Sequence, residues 1–406
     1  MSVLKGKRIL LGITGGIAAY KTPLLVRLLV KEGADVKVVM TEAAKDFVTP
    51  LTLNTVSKNP VYSSFTSETE NPSENPEWNN HVDLAMNADL LLFAPATANT
   101  LAKMAQGECD NLLLAVYLSA ACPVYYAPAM DLDMYQHPSV QESFTKLEEF
   151  GNIQIPAGFG ELASGLIGQG RMAEPVEIVE FLKGDLAAKL PLRGKKVLIT
   201  AGPTYEAIDP VRFIGNHSSG KMGYALAETA ANLGAQVFLI SGPTHLKLEN
   251  SNVHIDRVTS AQEMYDAAHK YFGTVDIAIA SAAVADYRPA EIAREKIKKN
   301  DDELVLHLTK TKDILASLGA EKKAQFLVGF ALETENEEAN AKKKLEKKNL
   351  DLIVLNSLRD KGAGFQTDTN KVTLIAKDNK VTPFDVKPKE EVAKDIFQYI
   401  IENYDA

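Results

Sequence analysis

Cys109 and Cys122 are the only cysteines in 406 residues. That is too few for a disulfide framework or a cysteine-based metal site. No apolar run is long enough to span a bilayer. The opening MSVLKGKRILLGIT leads straight into an expected strand and not into a leader peptide, so a cytoplasmic protein without a membrane partner is expected. Positive charge is also in deficit. The formal net charge of −9 argues against a general nucleic-acid surface, while leaving room for a local basic pocket around a phosphorylated small molecule. Two nucleotide signatures are missing as well. The turn GITGGIAAYK (12–21) departs from G-x-G-x-x-G, and Gly220-Lys221 is followed by Met222, where a Walker loop needs Ser or Thr to hold magnesium.

What is present is the composition of a soluble globular chain, 46% hydrophobic and 24% charged, long enough for two domains and possibly three. KRILLGITGGIAAYK (7–21) reads as a strand, a glycine turn and the start of a helix whose inner face carries Leu24, Leu25, Leu28 and Leu29. Gly33 ends that helix and ADVKVVMT (34–41) is the next strand. The succession returns in KKVLITAGPT (195–204), the loop and helix of GNHSSGKMGYALAETAANLG (215–234), and AQVFLISG (235–242). ADLLLFAPATANT (88–100) and VDIAIASAAVAD (275–286) read as buried strands ending in small residues. Strands alternating with helices imply parallel sheets. The expected fold is α/β, two tandem doubly wound domains over residues 1–187 and 188–406, parted near 184–194 by Gly184, Pro191 and Gly194. Residues 63–80 read as a surface excursion, the glycine-rich 158–172 as a mobile flap, and 335–349 as a helix charged on most faces.

In doubly wound sheets, ligands sit at the carboxyl ends of strands. Thr14 to Ile17, Thr41, Ala94 to Asn99 and PAMD (128–131) are expected to meet there, with amides and hydroxyls for a phosphate and room for a flat ring. A nucleotide-like cofactor is the reading those residues support. In the second half, Asn216, His217, Ser218 and Ser219 offer polar groups, and Gly220 and Gly223 would admit a phosphate or carboxylate close to the backbone.

GITGGIAAYK, NNHVDL (79–84), APATANT, PAMDLDMY (128–135) and GELASGLIGQGRMAEP (160–175) together resemble the flavin-dependent cysteine decarboxylases. The nearest likeness is to the decarboxylase half of bifunctional phosphopantothenoylcysteine decarboxylase and phosphopantothenate–cysteine ligases. The resemblance implies a flavodoxin-like domain that forms trimers, with FMN at the subunit interface. It assigns the cofactor to Thr14, Gly15, Gly16, Ile17, Thr41, Ala94, Pro95, Ala96, Thr97, Asn99 and Met130. The implied chemistry oxidises the cysteine thiol to a thioaldehyde, which accepts the electrons released with carbon dioxide, and then reduces the resulting enethiol. His81 matches the active-site histidine, although by itself it reads as a strand-edge or helix-cap residue. Asp131 stands where the family commonly has Asn to grip the substrate carboxylate. Ser164 stands where it commonly has Cys to protonate the enethiol, and a hydroxyl is a much weaker acid than a thiol. A carboxylate facing a carboxylate needs a proton or a cation between them. Cys109 reads as a packed thiol and not as the substitute acid.

TAGPTYEAIDPVRFIGNHSSGKMG (200–223), AAVADYRP (282–289), EKIKK (295–299), VGFALETE (328–335) and KKNLDLIVLN (347–356) resemble the ligase half of the same family. The implied reaction activates 4′-phosphopantothenate with CTP and magnesium as an acyl-cytidylate, from which cysteine displaces the nucleotide. Lys296 and Asn216 match the groups that stabilise that chemistry. The nucleotide contacts implied are Ser219, Gly220, Ala280, Ser281, Ala282, Asp286, Lys296, Lys312, Asp313, Ile314, Leu315, Phe330, Lys344 and Lys348. Lys344 and Lys348 lie four apart on one helical face, where like charges repel unless an anion joins them. Arg212 pairs either with the substrate phosphate or with Asp209, and residues 362–370 either cover the site or pair two ligase domains in a dimer. The function implied is bifunctional coenzyme A biosynthesis. The alternatives are an active ligase with a degenerate flavoprotein half, and a non-catalytic regulatory flavoprotein.

Overall fold

The computed structural model describes residues 2–66, 77–298, 304–333, 335–357 and 367–404. Contacts divide the chain into two units, Ser2–Ala188 and Lys189–Ala406. Gly184 lies inside the helix Pro175–Ala188, so the turn between units is formed by the residues after it.

The first unit is built on a six-stranded sheet: β1 (Arg8–Ile13), β2 (Asp35–Met40), β3 (Val61–Tyr62), β4 (Leu90–Ala96), β5 (Val124–Pro128) and β6 (Ile153–Gln154). Their order is β3-β2-β1-β4-β5-β6, every pair parallel. Parallel strands covered on both faces read as continuous apolar runs, and β4 is buried at every position. Ile9, Leu11, Leu90 and Leu92 feed the core on one face, while Leu10, Leu91 and Phe93 feed the other. Each such side chain contributes about 1.5–3 kcal/mol when fully buried. Helix Thr22–Lys31 packs through Leu25, Val26 and Leu29. Leu24, expected on that face, is exposed, because Thr22, Leu25, Val26 and Leu29 already define a complete inner stripe. A hairpin, β7 (Gly158–Glu161) and β8 (Ile167–Arg171), gives the glycine-rich flap an antiparallel frame with a register shift between Gly158 and Phe159.

The second unit repeats the plan. β9 (Lys196–Ala201) is followed by a short hairpin, β10 (Tyr205–Ala207) and β11 (Phe213–Gly215), then β12 (Gln236–Ser241), β13 (Val253–Arg257) and β14 (Ile277–Ala280). A second hairpin, β15 (Tyr287–Pro289) and β16 (Leu308–Lys310), precedes β17 (Phe326–Glu333) and β18 (Leu352–Ser357). The parallel core runs β13-β12-β9-β14-β17-β18 and is extended by antiparallel strands at 372–376 and 381–383. The hairpin β10–β11, with Tyr205 stacked on Phe213 at 3.8 Å, interrupts the simple strand, loop and helix expected after β9. The sequence reading of 362–370 falls partly outside the described residues, as do parts of 63–80, EKIKK and VGFALETE.

Candidate functional sites

In the first unit, the loops after β1, β2, β4 and β5 and the β7–β8 hairpin surround a cavity of about 760 Å³, within the range of small-molecule sites. Gly15, Gly16, Ile17, Thr41, Thr97, Asn99, Met130 and Asp131 line it as expected. The glycine turn fits closely beneath: a Cβ on Gly15 would lie 2.5 Å from the Cβ of Ala43. Thr41 presents a buried Oγ1 with no hydrogen-bond partner among the described residues. An orphaned hydroxyl at a cavity wall fits a polar cofactor that completes it.

Thr14, Ala94, Pro95 and Ala96 do not line the cavity but stand behind its wall. The fully buried Thr14 hydroxyl donates to the Pro95 carbonyl at 2.7 Å and accepts from the Thr97 amide at 3.1 Å, which fixes the loop after β4. Asp131 caps the helix Leu132–Gln136, its Oδ1 accepting from the Leu132 amide at 2.6 Å. Lys21, Lys103 and Arg171 also line the cavity, and Lys103 is paired with Asp110. Lys21 is buried and bonds Glu174 at 2.8 Å, and Arg171 reaches the same carboxylate at 2.9 Å. The Lys21 hydrogen bond chiefly holds Glu174 below the ordinary carboxylate range.

Two expected groups are not brought to this cavity within one chain. Ser164 is exposed at the hairpin turn, accepting from Leu166 N at 3.4 Å, while Glu161, Leu162 and Ala163 line the cavity. His81 begins the helix His81–Met86, with its ring edge-on to Phe65 and Trp78 and its buried Nδ1 without a partner among the described residues. Cys109, expected as a packed thiol, is exposed because it lies in the turn between two helices. Lys21 and Arg171 were missed as site residues although both sit in the quoted motifs; a lysine or arginine beside a glycine turn was the available signal.

In the second unit, a cavity of about 430 Å³ opens beside the ends of β9, β14 and β17. Ala280, Ala282, Asp286, Lys312, Asp313, Ile314, Leu315, Phe330, Lys344 and Lys348 line it, joined by Thr200, Tyr287 and Lys310. Lys348 meets Asp313 at 2.7 Å, and Lys344 donates to the Phe330 carbonyl at 2.7 Å. Burial, and then the neighbouring Lys348, pull the Lys344 ammonium below the ordinary lysine range. Helix Glu337–Lys347 is therefore not solvated all round: Ala341 and Leu345 are buried, and Lys344 is directed inward. Lys312 is held over the ring of Tyr265, with its Nζ 4.4 Å from the centroid.

Ser219, Gly220, Ser281 and Lys296 do not line this cavity. Gly220 is the left-handed cap of helix Lys221–Asn232, with φ +81°. Gly223 serves close packing and not ligand approach, since a Cβ there would lie 2.4 Å from that of Ala201. The Ser281 hydroxyl donates to Thr200 O at 2.6 Å. Asn216 donates to the carbonyls of Ala283 and Val284 at 3.0 and 3.3 Å, bracing the loop that carries Ala282 and Asp286. Arg212 pairs with the buried Asp209 at 2.9 Å, the structural member of its two expected partners.

Two doubly wound units, each with a cavity at its strand ends, define a tandem α/β protein. Residues 2–187 match the Flavoprotein family, and residues 192–404 match the DNA/pantothenate metabolism flavoprotein C-terminal domain. The chain is 46% identical to the coenzyme A biosynthesis bifunctional protein CoaBC of Bacillus subtilis (strain 168), over 98% of this chain and 97% of that one. It is 42% identical to the Escherichia coli (strain K12) protein of the same description, over 99% and 98%. It is also 52% identical to a cysteine/cysteine sulfinic acid decarboxylase from an unknown prokaryotic organism, over 87% of this chain and 99% of that one. The chain belongs to the CoaBC family.

Proposed function

We propose that the second unit couples 4′-phosphopantothenate to cysteine with CTP, and that the first decarboxylates the product to 4′-phosphopantetheine with FMN, in the cytoplasm. The observation that carries this reading is the pairing, in one chain, of a cavity with an orphaned Thr41 hydroxyl and a cavity ringed by Lys310, Lys312, Lys344 and Lys348.

A carboxylate attacking an α-phosphate meets like charge, so the barrier falls where fixed cations accept the charge that develops. Lys344 and Lys348 supply that field from one wall and Phe330 an apolar surface for the base. Lys296, on an exposed loop, neutralises the attacking carboxylate and the acyl-cytidylate phosphate. Asn216 sets the loop that receives them. Cysteine's amine then displaces CMP. Among the described residues no three His, Cys, Asp or Glu side chains cluster as a metal cage. Magnesium would enter with the triphosphate, and Asp286, which lines the cavity, would be its supporting carboxylate.

Bound FMN supplies reversible two-electron oxidation of the substrate thiol. The chain's part is to hold the thiol and carboxylate. Thr41 and the glycine turn fix the cofactor, and Lys21 and Arg171, which share Glu174, leave one net positive charge on the wall to set against Asp131 and the substrate carboxylate. His81 does not line the cavity of its own chain, and Ile17, Tyr20 and Leu24 are exposed. Those two features support trimers in which another copy completes the site. Ligase dimers complete the expected assembly.

A second reading is favoured by Asp131 and the cysteine decarboxylase likeness: the first unit also accepts free cysteine. Free cysteine carries an ammonium that a carboxylate pairs with, whereas the amide of phosphopantothenoylcysteine is neutral. Both readings are tested by the visible spectrum and by mass analysis of products from CTP, cysteine and phosphopantothenate. Paired flavin bands with phosphopantetheine as product support the first. Accumulated enethiol would reveal a degenerate first unit, and a colourless protein releasing neither pyrophosphate nor carbon dioxide would refute both activities. Cysteamine formed from cysteine alone, and lost in Asp131→Asn, identifies the second.

A further inference from the structure

Asp209 is a fully buried carboxylate that none of the chemistry above uses. Its two oxygens divide their work. Oδ1 accepts from the amides of Val211 and Arg212, both at 2.8 Å, which closes the DPVR turn. Oδ2 accepts from Arg212 Nη1 at 2.9 Å and from the amide of Ile297 at 3.2 Å. Arg212 Nη1 also donates to the Ile297 carbonyl at 3.3 Å. One carboxylate and one guanidinium thus hold both polar groups of Ile297, the neighbour of Lys296. Among the described residues little else fixes the loop. Within 291–298 only Ala293 and Ile297 are half-buried and the rest is exposed, and one further backbone bond runs from Ala293 N to Ile208 O at 3.0 Å.

We propose that Asp209 is a positioning residue for Lys296, acting through the Ile297 peptide to hold the lysine loop where acyl-nucleotide formation needs it. The inference rests on the role given to Lys296 above. The physical reason is entropy: a long side chain on an untethered loop must be ordered in the transition state, and prior ordering removes that cost. Desolvation works against an ionised Asp209. The amides of Val211, Arg212 and Ile297 and the Arg212 charge outweigh it and keep the carboxyl below its ordinary range.

Asp209→Asn separates the two functions of the group. Its carbonyl oxygen retains the Val211 and Arg212 amides, while its NH2 faces two donors, the Ile297 amide and Arg212 Nη1, and can accept from neither. Pyrophosphate release from CTP and 4′-phosphopantothenate should fall about 10–100-fold in kcat with KM for CTP within about twofold. Trypsin should cut at Arg294, Lys296 or Lys298 faster. Ile297→Pro removes the loop's donor and restricts the backbone at Lys296, and should reproduce the loss while leaving Asp209 and Arg212 paired, so the test survives poor folding of the first variant. In a Lys296→Gln background, Asp209→Asn should have no further effect on kcat. An inactive Lys296→Gln enzyme beside a fully active Asp209→Asn enzyme overturns the inference, as do additive losses in the double variant. Full activity of Lys296→Gln instead overturns the underlying role of the lysine.

Discussion

Both units thread six parallel strands in the same spatial order, yet they place their cavities differently. In the first unit the glycine turn after β1 is itself cavity wall, together with the loops after β2, β4 and β5. In the second, the glycine loop after β9 is set aside by the β10–β11 hairpin, and the cavity shifts toward β14 and β17. The first cavity is walled by the glycine turn and small loop residues with Lys21, Lys103 and Arg171 among them, the second by lysine side chains from a helix and a hairpin. The topology supplies strand ends in both; insertions decide which loop reaches a ligand.

That contrast breaks if one unit's ligand depends on the other's cavity. Lys344→Met is expected to lower CTP-dependent pyrophosphate release about 100-fold, through loss of a cation in a water-poor site, with flavin absorbance per chain unchanged. The mirror variant is Gly15→Ala. Its methyl would collide with Ala43, whose backbone carbon lies 2.9 Å from the new Cβ, so flavin content should drop about tenfold while ligase rate stays within about twofold. Coupled losses in either variant would show that the sites are not separable.

A smaller test concerns glycines that look alike in sequence. Gly223→Ala, at a helix packed on Ala201 and Ser281, should destabilise the second unit by about 1–3 kcal/mol in urea unfolding, through overpacking. Gly16→Ala meets only Thr97 Cγ2 at 3.2 Å, and should cost less stability and more flavin. Equal effects on stability would erase the distinction between a packing glycine and a ligand-facing one.

The same distinction explains what was legible in the chain. Apolar runs such as LLLFAPA and KVLITA announce doubly covered parallel strands by composition alone, so both sheets follow from local pattern. Phe330 came only with the family likeness, and the spacing of Lys344 and Lys348 hinted at an anion but not at burial, because a lysine in a charged helix carries no local mark of it. Thr14 and Gly223 were read as ligand contacts because small polar residues and glycines serve loops, braces and close packing equally well. Their partners, Pro95 and Ala201, are about eighty and twenty residues away, a separation that no window of periodicity spans.

The smallest effect is the proton balance at Lys344. Its ammonium is held below the ordinary lysine range, first by burial and then by Lys348, against the opposing pull of Glu333, Asp313 and Asp286. In the free protein, stability attributable to this group rises with pH through the lowered value, because the unfolded chain, with an ordinary pKa of about 10.4, keeps its proton longer. A bound triphosphate reverses the preference by favouring the charged form. Between the lowered value and about 10.4, CTP binding should therefore take up a fraction of a proton, and affinity should fall as pH rises across that window. Calorimetry in buffers of different ionisation enthalpy measures the uptake directly. Lys344→Met should abolish it, whereas Gly15→Ala should leave it intact; uptake that persists without Lys344 would place the titrating cation elsewhere in the second unit.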